Sequence, residues 1–445
     1  MKSITAFTNS LVSVVIPSVS FRPTRSVDFL DRKKRFRCLA MGLSAMVLLI
    51  GCAGADSAKA QTDLKLAVND ISYLWPVPLN KTDVDQLITA ESVWPDASFQ
   101  STMKSALEVE VSNAFGQKKQ IKFPPSADFS KRTTWKVVGF RVDPSAPSTV
   151  KAVIESFGSL PQIRLIMQPV TVGPNGVTVH DYTVHLPFSY LLNAKPPFKP
   201  DREKFASILR DLRQLKQALL EATPPVSTEG PLGVHPGLAQ KVPGFSEKVK
   251  LFLSTHLADG ALDFVAFMGV PAPLPEPWIF FEAEIREMLS PFISVRDGAV
   301  TPVPENSNLD TGPPPIGVST AVLFRPDPKL DQPAVAGRKE PLNKDAPDII
   351  ANPIMSNVLN TDCVSCHSET TRRNALKIGP TAYQFKLPDG IPGGQPALLP
   401  ESNYNVRNFG WFQLDPSSPA KPAITMRTSN ETANALEFIR REYQQ

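Results

Sequence analysis

Apolar and polar positions repeat with two different periods along this chain of 445 residues. In DREKFASILRDLRQLKQALLEA, residues 201–222, Phe205, Leu209, Leu212 and Leu219 recur along one stripe, and Pro224 stands beyond the end. That spacing predicts an amphipathic helix. FSEKVKLFLSTHL is a second helical candidate. TTWKVVGFRVDP, Thr133 to Pro144, has strand composition and stops at Asp-Pro. QIRLIMQPVTV and VTVHDYTVHLPF flank GPNG, so a hairpin is predicted with its turn at Gly173 to Gly176. The C-terminal TSNETANALEFIRREYQQ predicts a last helix, with Thr428 and Glu431 spaced as a capping box. Thr432, Leu436, Ile439 and Tyr443 share one face of it, available for packing on an earlier helix.

These elements set an organisation. Residues 62 to about 300 read as a β-rich α+β domain interrupted by helices. From Thr301 to Pro347 there are ten prolines in 47 residues, including GPPP, which predicts a largely extended connector. IGVSTAVLF inside it has the composition to add a strand. Residues 348–445 then form a smaller C-terminal domain, predicted to be all-α.

The start follows a different pattern. The basic DRKKRFR is followed by CLAMGLSAMVLLIG, an apolar run too short to span a bilayer comfortably. This is the pattern of an export signal, preceded by an unusually long stretch that points to a downstream translation start. The run ends in LIGC, Leu49 to Cys52, which resembles a bacterial lipobox. The resemblance implies that residues 1–51 are a signal peptide and that Cys52 is acylated. The alternative is a signal-anchor helix with an incidental cysteine. Residues 1–51 hold eight Lys/Arg and two Asp, so the net charge of +4 becomes −2 once they are removed. The basic balance therefore belongs to the leader and gives no reason to expect a nucleic-acid partner. Ala53 after the cysteine, rather than aspartate, implies an outer-membrane destination by analogy with enteric lipoproteins.

Cysteine usage then narrows the chemistry. Of four cysteines, Cys38 leaves with the leader and Cys52 carries lipid, so Cys363 and Cys366 remain. They stand in TDCVSCHSETTRR with His367 directly behind. A zinc site needs further ligands, yet the other four histidines lie more than a hundred residues upstream. A thioredoxin-like pair needs a preceding buried strand, and DIIANPIMSNVLN lacks the β-branched run for one. A covalent haem uses all three residues. The thiols form thioethers to the vinyl groups and the histidine binds iron.

Around this CxxCH motif the last hundred or so residues, Asp348 to Gln445, resemble a class I cytochrome c domain. The resemblance implies a first helix running into the motif, a loop around one covalent haem c, an axial methionine and a closing C-terminal helix. Met426, 59 residues after His367 and just before the predicted last helix, matches the axial position. Met355 is the other methionine of this region. If Met426 only fills a gap in a core, the iron is five-coordinate or takes a group from the other domain. In NYNVRNFGWF, Tyr404, Phe409, Trp411 and Phe412 are either walls for a haem edge or an ordinary aromatic core, and Gly410 allows close backbone approach. Arg407 is either a propionate partner or a solvated surface side chain.

The β-rich region offers less. His180 and His185 tempt a metal-pair reading, but five residues apart on one strand they face opposite ways. No nucleophile elbow, phosphate-binding glycine loop or HExxH motif stands there. The leading expectation is a lipid-anchored periplasmic cytochrome that passes single electrons to a redox partner protein. The haem region, with nine Lys/Arg and nine Asp/Glu, lacks strong charge steering toward that partner. The alternatives are a haem oxidoreductase, peroxidase-like or with an electron-fed catalytic N-terminal domain, and a redox- or gas-sensing lipoprotein.

Overall fold

A computed structural model describes residues 64–108, 110–112, 118–120, 128–146, 148–195, 197–269, 279–284, 293–296, 299–302, 350–354, 356, 369, 398, 408–413 and 417–443. All belong to one unit spanning Gly54–Gln445. The expected leader with Cys38, the expected lipidation site Cys52, nearly all of the proline-rich segment, Met355, the CVSCH motif, Tyr404 and Arg407 lie outside the described residues.

The chain runs through helix α1 (Val68–Ile71), strand β1 (Ser72–Leu74) and helices α2 (Lys81–Asp85), α3 (Ala90–Val93) and α4 (Asp96–Glu108). A small hairpin, β2 (Glu110–Ser112) with β3 (Lys118–Gln120), leads to the long strand β4 (Trp135–Ala146). After helix α5 (Lys151–Phe157) come β5 (Leu160–Gly173), β6 (Gly176–Val179) and β7 (Tyr182–Ser189). Helices α6 (Arg202–Leu220), α7 (Pro236–Ala239) and α8 (Phe245–Asp259) follow. Next are β8 (Ala261–Leu262), β9 (Phe264–Gly269), β10 (Ile279–Glu284) and the hairpin β11 (Ile293–Arg296) with β12 (Ala299–Pro302). The C-terminal part holds β13 (Phe409–Phe412), β14 (Lys421–Ile424) and helix α9 (Met426–Tyr443).

The main sheet has the order β1-β4-β5-β7-β9-β10, with β6 added to β5 and β8 to β7, and its described pairings are antiparallel. The predicted hairpin forms with Gly173 opposite Gly176. Its return strand breaks at His180 and Asp181, so β6 pairs with the far end of β5 and β7 with the near end. In β4, Phe140 faces Phe252 of α8, with ring centroids 5.8 Å apart. Helix α6 buries Phe205, Leu209, Leu212 and Leu219 as its stripe predicts, packs on α8, and is started by Asp201, whose side chain accepts from the Lys204 amide. A buried ion pair, Lys216 Nζ to Asp70 Oδ2 at 2.9 Å, ties α6 to α1.

The opposite face of β4 and β5 is covered by the C-terminal segment. Phe409, Trp411, Ile424, Leu436 and Ile439 belong to the same hydrophobic core as the sheet. The register of β4 shifts between Val137 and Gly139, and the ring of Phe409 lies over Gly139. A Cβ there would come within 2.6 Å of Phe409 and 2.8 Å of the Tyr73 carbonyl, so only glycine fits this crossing. Trp411 is fully buried. Its indole donates to the Trp75 carbonyl at 2.9 Å, and its backbone amide donates to, and carbonyl accepts from, the Gln168 side chain. The C-terminal region was expected to be all-α with its core across two helices. Its described part instead contains the β13–β14 hairpin and packs α9 on β4 and α1. The core thus runs across the boundary expected at residue 348.

Candidate functional site

The first turn of α9 is where a predicted site residue and the approach to the CVSCH motif meet. Thr425, not Thr428, opens the helix. Its hydroxyl accepts from the Thr428 amide at 3.3 Å, and its own amide donates to the Asn408 carbonyl at the start of β13. The capping box expected from Thr428 and Glu431 is therefore not formed, because the helix begins a turn earlier and both residues lie inside it. Met426, expected just ahead of the helix, is its first residue and is 3% exposed.

The same turn holds the chain that leads into the motif. Arg427 Nη1 donates to the carbonyls of Ile350 at 2.8 Å and Asn352 at 3.3 Å, and Asn430 Nδ2 donates to that of Ala351 at 2.8 Å. The Asn352 side chain accepts from the Ile354 amide and its carbonyl accepts from the Ser356 amide, which turns the segment over. Residues 350–352 are thus tethered to the start of α9, the helix that Met426 opens, and Asn352 stands eleven residues ahead of Cys363 by sequence.

Beneath the turn lies a cluster of charges. Arg141 of β4 donates to Glu431 Oε2 at 2.7 Å and to Asp143 Oδ2 at 2.9 Å, while Arg427 Nε donates to Glu431 Oε1 at 2.6 Å. Arg164 of β5 stands directly opposite Arg141 in the strand register. Burial would raise Glu431, but Arg427 and Arg141 hold it far below the usual carboxylate range. Burial likewise works against the charge of Arg141, and Glu431 and Asp143 more than reverse this. Arg164 is pulled below the ordinary guanidinium range by burial and by Arg141 beside it. This network was not foreseen from sequence. The available signals were the four-residue spacing of Arg427 and Glu431, and the polar positions Gly139, Arg141 and Asp143 that alternate with Phe140 and Val142.

Cys363, Cys366 and His367 lie outside the described residues, so of the four residues expected to attach the haem or bind its iron the structure places Met426 alone. Phe409 and Trp411 face the sheet and fill its core, as described above. Gly410 makes its close approach to the Gln168 amide, whose Oε1 lies 2.5 Å from the position of a Cβ. His180 falls in the break between β6 and β7, with its ring 2.8 Å from the Thr171 hydroxyl, and burial lowers it to about 4. His180 and His185 do not share a strand as expected, because His180 follows the end of β6 and only His185 lies in β7. Among the described residues no three His, Cys, Asp or Glu side chains gather as a metal site, and no helix is long and apolar enough to cross a membrane. No protein-family model matches the chain, and neither a curated protein nor a solved structure does.

Proposed function

We propose that this protein is an exported, lipid-anchored c-type cytochrome that carries single electrons through one covalently held haem. The observation that carries the reading is CVSCH at residues 363–367, in a chain whose other two cysteines, Cys38 and Cys52, begin and directly follow the apolar run of the proposed leader. Cys363 and Cys366 would hold the haem by thioethers, His367 would bind its iron, and Met426 would supply the sixth ligand. When bound, the group supplies reversible one-electron chemistry with a potential tuned by its axial ligands and burial. Two features of the fold fit this assignment. The Met426 thioether is kept from water, and Arg427 and Asn430 hold the segment leading to the motif against the methionine's own turn. The thiols anchor, the imidazole and thioether ligate, and the helix start fixes where the thioether sits.

Covalent attachment is checked by haem staining after denaturing electrophoresis. Wild-type protein should keep the stain and Cys363→Ala/Cys366→Ala should lose it; a wild type that washes clean would sink the proposal. Met426→Ala should lower the potential and remove the near-infrared sulfur-to-iron band of the ferric protein, because a neutral thioether favours ferrous iron. It should also open the iron to carbon monoxide. A wild type that already binds the gas rapidly favours the peroxidase-like or sensing alternative instead. For the anchor, Cys52→Ser should release the protein from membranes, and normal maturation and membrane fractionation of that variant would overturn it.

A further inference from the structure

Among the described residues the charges beneath α9 do not cancel. Three guanidiniums, Arg141, Arg164 and Arg427, share this patch with two carboxylates, Asp143 and Glu431. Arg141 and Arg427 use both carboxylates between them. Arg164 has no hydrogen bond or ion pair among the described residues, and its Nε is buried without a partner, as is that of Arg141. Arg141 and Arg164 are also cross-strand neighbours in direct register, a placement in which like charges repel. The other residues in direct register carry no charge, with Gln162 opposite Asp143 and Pro187 opposite Arg164 on β7; Asp143 and Glu431 act on Arg164 through space, without a hydrogen bond to it. A strand position that faces a like charge is ordinarily filled by a neutral residue. Arg164 is only partly buried, whereas Arg141 and Arg427 are buried, so of the three it is the one that keeps some surface open to solvent even though its Nε is enclosed.

From this juxtaposition we infer that Arg164, backed by Arg141, forms a seat for an oxyanion that presents carboxylate or phosphate oxygens. A planar guanidinium binds such oxygens through two parallel N–H donors, and one added negative charge makes the cluster neutral. The chemistry has two possible sources, a free anion or a propionate of the chain's own haem. The second source rests on the function proposed above; the seat itself does not.

The test uses the full mature protein and its Arg164→Gln variant, at constant ionic strength so that screening is matched. Inorganic phosphate binding is followed by calorimetry, and the midpoint potential by redox titration. If the anion is free, wild type binds phosphate and the variant binds it about tenfold or more weakly. If a propionate fills the seat, wild type ignores phosphate and the variant's potential falls, because a positive charge next to the haem edge has been removed. Arg164→Gln relieves a repulsion and should fold. Arg164→Lys, which keeps the charge without the fork, should retain the potential but bind phosphate less well. Equal phosphate binding by wild type and Arg164→Gln, or no binding together with an unchanged potential, overturns the seat. A protein without haem leaves the phosphate arm intact, so the failure of that reading is told apart from the failure of this one.

Discussion

Replacing Glu431 by glutamine is expected to destabilise the fold by about 2–3 kcal/mol, less than the cost of removing one partner from a fully buried ion pair, because the Glu431 side chain keeps some exposure to solvent. Glutamine keeps the shape of the side chain, so cavity formation does not confuse the result. What changes is charge: Arg141, Arg164 and Arg427 are left facing Asp143 alone, in a place where Arg141 and Arg427 are almost fully buried. The loss should be concentrated at the C-terminus. Helix α9 is also fastened at its far end, by Arg440 to the Leu66 carbonyl and by Tyr443 against Phe205 and Arg202. Hydrogen exchange should therefore show the first turns of α9 and residues 350–352 opening before the end of the helix. Because Glu431 titrates far below its ordinary value, its contribution is present above the unfolded carboxylate range and survives well into acid before protonation removes it. A urea titration of Glu431→Gln within 1 kcal/mol of wild type, with unchanged exchange at α9, would show that the network adds no stability.

Acid should act first at a different place. His235 is fully buried, stacked between Tyr73 at 4.0 Å and Phe245 at 5.2 Å, with neither ring nitrogen hydrogen-bonded. Burial alone lowers it to about 3, against 6.5 when exposed. The unfolded chain therefore takes up a proton that the folded chain refuses. Stability from this group is complete above pH 6.5 and falls as the pH drops from there toward 3. Across the whole interval the loss amounts to roughly 4–5 kcal/mol. His180, lowered to about 4, adds to the same trend. His235→Phe keeps an aromatic ring in the stack and removes both the proton and an unsatisfied N–H. The variant should melt higher at neutral pH, by about 1–3 kcal/mol in stability. Its melting temperature should also fall much less between pH 7 and pH 4. Parallel pH profiles for the two proteins would refute the assignment.

Some of this architecture was legible in the chain because its cause is local. The stripe of α6 needs only a 3.6-residue period, and the turn at Gly173–Gly176 needs only turn chemistry between two strand-forming runs. The face of α9 was legible in the same way, since Thr432, Leu436 and Ile439 are all buried. What that face packs against was not legible. The expected partner was a helix leading to the motif, whereas contacts with β4 and α1 join residues almost three hundred positions or more apart. The capping error has a similar origin. Thr425 and Thr428 are both competent caps, and the Asn408 carbonyl decides between them by accepting the Thr425 amide.

The strand β4 shows the division most clearly. Alternation of Phe140 and Val142 with Gly139, Arg141 and Asp143 determined by itself that this segment is a strand with one apolar and one polar face. The proposed haem reading of Cys363, Cys366 and His367 likewise rests on the sequence, because it uses the adjacency of these three residues and the absence of further ligands nearby. Whether the polar face of β4 meets water was decided only in three dimensions. Phe409, Trp411 and α9 cover it, and Glu431 supplies the carboxylate that makes burial of Arg141 tolerable. A local pattern states what a side chain is. Desolvation and ion pairing depend on which distant segment arrives to cover it.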